Sequence, residues 1–244
     1  MEIEKKVLES FIRKYSLNQN IEKAKITCKN KTLKTSTISD EKNCLCIISL
    51  DKFGDLEDCE FGVYNTSKLK QLLSVLSDKI DVSLNKVDDK ITSLTLADNK
   101  IQVQYCTADL SAVKDAPALK QLPDFNCGIV VNEDFVSKFI KAKNALSDVD
   151  TFTLIMKKDK LNLVIGYSSI NSDRITLDIN TVKGKDTVEK PLSFSAKYFK
   201  EILSANSESS ETVFNVSDKG LGTISFRKDN FESNYYIVAT PAAE

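Results

Sequence analysis

Apolar residues recur along this chain in two rhythms, and each rhythm marks a type of element. In residues 2–15, Ile3, Val7, Leu8, Phe11, Ile12 and Tyr15 follow i, i+4, i+7 spacing, with Lys6, Glu9 and Arg13 opposite, which predicts an amphipathic helix. The same spacing predicts helices over 66–77 (Leu69, Leu72, Leu73, Leu76), 132–146 (Phe135, Val136, Phe139, Ile140, Leu146) and 195–206 (Tyr198, Phe199, Ile202, Leu203). The third opens with Asn132 as N-cap and with Glu133 and Asp134 in its first turn, where the helix dipole favours acids. Its Lys143 falls at the apolar edge and must snorkel. The second rhythm, alternation of apolar and polar positions, predicts strands among 43–50, 79–84, 93–97, 100–105, 151–156, 160–167, 174–180, 222–227 and 234–240. Polar turns of the DNK, KDK and DKG type separate several of them.

The chain also repeats itself. Residues 61–84 match 191–214 at an offset of 130, where Lys70, Leu72, Leu73, Ser74 and Ser77 fall on Lys200, Ile202, Leu203, Ser204 and Ser207. At an offset of 128, Val7, Leu8, Phe11, Ile12 and Arg13 fall on Phe135, Val136, Phe139, Ile140 and Lys141. Both halves therefore run helix, strands, second helix, more strands, as a duplicated unit would. Between them, Pro117 and Pro123 lie in a stretch poor in strand formers that reads as an extended connector. The expectation is an α+β protein of two tandem similar domains, 1–116 and 126–244, joined by a connector at 117–125. Each would be antiparallel sheet with two helices on one face.

Composition narrows the chemistry. A 41% hydrophobic content is enough to fill two cores, while no apolar run approaches the roughly 20 residues that cross a bilayer. The N-terminal MEIEKKVLESFIRKY lacks the apolar core of a signal peptide, so the expected location is cytoplasmic, with no membrane partner. Cys28, Cys44, Cys46, Cys59, Cys106 and Cys127 include no C-x-x-C pair and read as reduced, mostly buried thiols. A zinc site at Cys44 and Cys46 would need four thiolates or a carboxylate, because the chain has no histidine. The seven glycines form neither a phosphate loop nor a dinucleotide fingerprint. Ser67 and Lys70 do match S-x-x-K, the pattern of a lysine-activated serine, but so do Ser111 and Lys114. The acids Asp55, Glu57 and Asp58 lack the spacing of a calcium loop. The residues point to a protein that is not an enzyme and needs neither cofactor nor metal.

Charge is unevenly placed. Net charge is −1, yet the four predicted helices hold eleven bases against six acids, and the remainder twenty-three bases against twenty-nine acids. Basic helices recur in both halves, Arg13 matching Lys141 and Lys70 matching Lys200. Such a surface, rich in lysine and without aromatic residues on its wet faces, suits contact with phosphates and cannot read base edges.

The duplicated order, the segment FGVYNTSKLKQLLSVLSDKIDVSL at 61–84 and the segment at 124–167, DFNCGIVVNEDFVSKFIKAKNALSDVDTFTLIMKKDKLNLVIGY, resemble the trimeric DNA sliding clamps of tailed phages. The ending FESNYYIVATPAAE is similar to their last strand and tail. These clamps share the fold of proliferating cell nuclear antigen, and the length suits two domains per subunit rather than the three of bacterial clamps. The resemblance implies a homotrimeric ring, closed head to tail, in which twelve helices surround double-stranded DNA without sequence preference. It implies polymerase and an ATP-dependent clamp loader as protein partners and processivity in DNA replication as the function. By the same resemblance Lys6, Arg13, Lys68, Lys70, Lys138, Lys141, Lys197 and Lys200 face the DNA. Ile101, Val103 and Tyr105 of one subunit would pair with Arg174, Ile175, Leu177 and Ile179 of the next, and Leu119, Leu122, Phe125 and Pro241 would hold partner peptides. Glu2, Glu4 and Glu9, on or near the first helix, depart from the basic lining. Two alternatives stand beside this reading: a monomeric processivity or adaptor protein of the same duplicated fold, and a serine–lysine hydrolase built on Ser67.

Overall fold

The computed structural model describes residues 1–119, 121–158, 160–168 and 173–240. The chain divides into two compact units. Met1–Ser39, Cys46–Pro117 and Asp229–Ser233 make the first, and Asp40–Leu45, Ala118–Lys228 and the residues from Asn234 onward make the second.

In chain order the first half runs β1 (Glu2–Glu4), α1 (Lys5–Ser16), β2 (Ala24–Lys29), β3 (Thr32–Ile38), β4 (Cys44–Leu50), β5 (Cys59–Val63), α2 (Thr66–Ser74), β6 (Lys79–Val87), β7 (Lys90–Ala97) and β8 (Gln102–Cys106). The second runs β9 (Cys127–Val131), α3 (Glu133–Ala145), β10 (Thr151–Lys157), β11 (Lys160–Ile165), β12 (Ile175–Asp178), β13 (Thr181–Asp186), β14 (Leu192–Ser195), α4 (Ala196–Ala205), β15 (Thr212–Ser217), β16 (Leu221–Lys228) and β17 (Phe231–Val238). Sheet order displays the duplication. The order β1-β6-β7-β8 is matched by β9-β15-β16-β17, and β4-β3-β2-β5 by β12-β11-β10-β14. Strand β13 adds to the free side of β9 and has no counterpart in the first half. The tandem α+β architecture expected from the sequence is thus present, with the sheet of each unit divided in two.

One predicted element changes type. Residues 2–4, read as the first turn of a helix, are a strand: Ile3 pairs with Ile80 between exposed Glu2 and Glu4, and the helix starts at Lys5. The E-I-E alternation fits an edge strand with one inward side chain. Helix α1 then ends on Leu17 in the left-handed region (φ 46°), without a glycine. Its amide donates to the Arg13 carbonyl at 3.2 Å while its side chain is fully buried, which offsets the unfavourable backbone geometry.

The two cores differ in chemistry. Phe11, Ile12, Tyr15, Leu69 and Leu73 of the helices and Ile26, Val63, Ile80 and Leu96 of the strands are buried in the first unit. The second unit is built on phenylalanine. Phe199 sits 4.7 Å from Phe214 and 5.0 Å from both Phe139 and Phe152, ring centre to ring centre. Such pairs add roughly 0.5–1.5 kcal/mol beyond their buried area. Gly222 is required here, because a Cβ would stand 2.6 Å from the Phe214 ring. Among the described residues no helix is long and apolar enough to cross a membrane.

Candidate nucleic-acid interface

The helices are anchored before their surfaces can be used. At the start of α2, Asn65 accepts from the Lys68 amide at 2.6 Å as N-cap, and the Glu22 carboxylate accepts from the Ser67 amide at 2.9 Å and from the Ser67 hydroxyl. Ser67 is thereby held as part of a helix terminus, with its hydroxyl donating to a carboxylate. The buried Tyr15 hydroxyl reaches Thr66 Oγ1 at 3.0 Å and ties the end of α1 to the start of α2; burial pushes its phenol well above the ordinary range. Tyr105 completes the anchor, its hydroxyl accepting from the Tyr64 and Asn65 amides at 3.2 and 3.1 Å. In the second unit Asn132 and Ser195 cap α3 and α4, accepting from the amides of Phe135 and Tyr198.

With the apolar stripes fixed inward, the opposite faces are set. The four helices carry eleven bases, and three of these turn back into the protein. Lys5 donates to the Leu76 carbonyl at 2.5 Å, buried Lys14 lies 5.3 Å over the Phe231 ring, and Lys143 donates to the carbonyls of Leu146 and Ser147 at 3.3 and 2.8 Å. Lys143 is only 7% exposed. Its ammonium bonds the two carbonyls that follow α3 instead of snorkelling fully to water, and sits near the negative end of the helix. The sequence carries a signal for Lys14 as well, since it follows Phe11 by three and Val7 by seven and so flanks the apolar stripe.

The remaining eight are Lys6, Arg13, Lys68, Lys70, Lys138, Lys141, Lys197 and Lys200, and all of them reach solvent, Lys70 and Lys200 partly. Three have a carboxylate nearby: Lys6 with Glu4 at 2.9 Å, Lys138 with Asp134 at 2.7 Å, and Lys200 with Glu201 at 3.9 Å. Lys197 lies 5.8 Å from the Tyr198 ring. Among the described residues no carboxylate comes within 4 Å of Lys68, Lys70 or Lys141. Because Glu2 and Glu4 belong to β1, the helices proper hold eleven bases against four acids, Glu9, Glu133, Asp134 and Glu201. The rest of the chain then holds twenty-three bases against thirty-one acids. The segregation of charge is sharper than the sequence spans suggest. Surface pairs such as Lys138–Asp134 are weak, about 0–1 kcal/mol, and leave the lysine available to a phosphate.

The strands named for pairing occupy sheet edges. β8 is terminal in β1-β6-β7-β8, and β12 is terminal in β12-β11-β10-β14. Ile101 (41% exposed) precedes β8, and Val103 is half-buried within it. Tyr105 is buried in its own unit, and the register turns its backbone toward Leu94 of β7, so the outward amides of this edge are those of Gln102, Gln104 and Cys106. Arg174 is exposed just before β12; Ile175 and Leu177 are half-buried in it, and Ile179 follows it. Of the connector residues, Leu119 and Leu122 are exposed and Phe125 is half-buried. Pro241 lies outside the described residues.

The sequence matches no protein-family model and no curated protein. Solved structures do match. A. fulgidus PCNA, in a structure with the C-terminal region of FEN-1, superposes with a TM-score of 0.73 at 16% identity over 100% of this chain and 98% of that one. Proliferating cellular nuclear antigen from Entamoeba histolytica gives 0.74 at 16% identity, over 98% and 97%. At that identity the likeness is one of fold, and the fold, followed from end to end of the chain, is the clamp fold of proliferating cell nuclear antigen.

Proposed function

We propose that this protein is a DNA sliding clamp of the trimeric, tailed-phage kind, which encircles duplex DNA and tethers a replicative polymerase. One observation carries the reading: of eleven helix bases, three (buried Lys14 and Lys143 and half-buried Lys5) turn back to contacts within the fold, and the other eight lie toward solvent on paired helices in both duplicated units. Lysine ammonium groups on mobile stems hold phosphates by charge alone, and each contact displaces condensed counterions regardless of sequence. A clamp needs that weak, sequence-blind attraction, because tight or base-specific contact would stop it moving.

Ring closure would join β8 of one subunit to β12 of the next. Exposed strand edges are aggregation hazards unless paired or protected, and head-to-tail pairing of two different edges closes a ring when the rotation permits. Ile101, Val103 and Tyr105 of one subunit's edge would lie against Arg174, Ile175, Leu177 and Ile179 of the next, with the outward amides of Gln102, Gln104 and Cys106 making the main-chain bonds. Exposed Leu119 and Leu122, with Phe125 and Pro241, would seat short apolar segments of polymerase and of an ATP-dependent loader. The test is retention on DNA. After loading, the protein should stay on a nicked circular duplex through a salt wash and leave the same duplex once it is cut. Equal loss from both forms refutes topological enclosure.

A further inference from the structure

Comparison of the two duplicated units shows a bridge that one of them makes and the other lacks. In the first unit, Lys5 opens α1 and closes onto the turn after α2, its amide donating to the Asp78 carbonyl at 2.7 Å and its ammonium to the Leu76 carbonyl at 2.5 Å. The corresponding residue at the start of α3 is Glu133, and Asn206 corresponds to Leu76. Both of these bond back to the leucine three before them, Leu76 to Leu73 at 3.1 Å and Asn206 to Leu203 at 3.3 Å. A carboxylate cannot donate to a carbonyl, so the internal bridge is lost. The turn from α4 to β15 also spans 206–211, two residues more than the 75–78 turn between α2 and β6.

A cavity of about 640 Å³ lies at this place. Val131, Val136, Leu203 and Phe226 supply its apolar lining; Glu133, Asp134 and Glu211 are acidic, Asp134 being paired with Lys138 at 2.7 Å, and neither lysine nor arginine lines it. Among the described residues the carboxylates of Glu133 and Glu211 have no hydrogen-bond or ion-pair partner. Ser209 Oγ, buried beside them, has no partner among the described residues.

We infer that this groove is a docking site for a protein segment bearing a lysine or arginine next to a large aliphatic residue. The incoming cation would take the place that Lys5 fills in the first unit, facing Glu133 and Glu211, while the aliphatic side chain would rest on Val136, Leu203 and Phe226. Charge complementarity around an apolar floor is the arrangement that lets a groove accept a basic–apolar partner and reject an acidic one. The site is separate from the connector leucines.

The probe is a short, end-blocked, fluorescein-labelled peptide of alternating leucine and lysine, titrated into the full chain and read by anisotropy. Its leucine–glutamate counterpart and the variants Glu133→Lys and Glu211→Gln are tested alongside. Glu133→Lys restores the residue type of Lys5 and should close the groove from within, weakening the leucine–lysine peptide by about tenfold or more; Glu211→Gln should weaken it less, in the same direction. The leucine–glutamate peptide should not bind. Equal affinity of wild type and Glu133→Lys, comparable binding of both peptides, or no binding to wild type would each overturn the proposal. It would equally be overturned if sedimentation showed that Glu133→Lys changes self-association while peptide affinity stays constant, since the groove would then seat a second copy of this chain.

Discussion

Lys141 and Lys143 stand two residues apart on α3 in opposite surroundings, the first exposed and the second buried. Lys143 donates two hydrogen bonds to the segment just past its own helix, to the carbonyls of Leu146 and Ser147, and is 7% exposed. Charge-assisted bonds of this kind contribute about 1.5–3 kcal/mol each before the cost of burying the ammonium is subtracted. Ser147 is exposed, so water can replace one of the two bonds. Lys143→Met keeps the stem's packing and removes both donors, and should destabilise the protein by about 1–2 kcal/mol. Thermal midpoints for chains of this size move by about 2–4 °C per kcal/mol, which predicts a fall of roughly 2–8 °C. Lys141→Ala, on the wet face, should leave stability within about 0.5 kcal/mol. In the proposed clamp its effect belongs to DNA: each lost phosphate contact would lower the slope of log affinity against log salt by about 0.9, and a trimer losing one contact per subunit would lower it by up to about 3. Thermal denaturation and duplex-binding anisotropy across a salt series measure both quantities on both variants. The face assignment fails if Lys143→Met reduces the salt slope at unchanged midpoint, or if Lys141→Ala leaves the slope where it was.

Three further outcomes are expected. Tyr105→Phe strands the amides of Tyr64 and Asn65 at the entrance to α2 and should cost about 1–3 kcal/mol in urea denaturation, whereas no shift in midpoint would show that water satisfies them equally well. Phe199→Ala opens the aromatic centre of the second unit and should cost about 3–5 kcal/mol, lost soluble yield being the same result in stronger form; a change under about 1 kcal/mol would mean the cluster is not the core. Asp98 accepts backbone hydrogen bonds from the amides of Lys100, Ser77 and Ile101, which hold its carboxyl well below the usual carboxylate range. A depressed folded pKa stabilises above the unfolded value, so that contribution is full above about pH 5 and is lost as pH falls toward the folded value. The urea midpoint of wild type should therefore approach that of Asp98→Asn on acidification, and a gap that stays constant contradicts the assignment.

Much of this molecule is legible in its sequence because the helices are strongly periodic. α2, α3 and α4 begin at Thr66, Glu133 and Ala196, within one residue of the spans that stripe spacing gives, and the offsets of 128 and 130 align the helix starts in the two units. β1 is not legible, since Ile3 continues the stripe of α1 and only its partner Ile80, distant in sequence, makes the segment a strand. The division of each sheet into two, and the place of β13 outside β9, follow from strand order, which local alternation does not encode. Among the basic residues, spacing separates exposed from buried where a lysine sits well inside or outside the apolar arc. It does not reveal that Lys5 bridges to Leu76, because that contact joins two helix ends through a turn whose length no periodicity specifies. Nor does it show that Tyr105, alternating as a strand residue should, spends its hydroxyl on the entrance to α2.

The ring is the claim on which the rest depends, and the mass of the free protein in solution tests it most directly. Light scattering at micromolar concentration should return three times the 27.2 kDa of one chain, and loss of an outward β8 amide in Gln104→Pro should lower it. A mass of one chain under the same conditions would contradict the ring and leave the basic helices without an axis to surround.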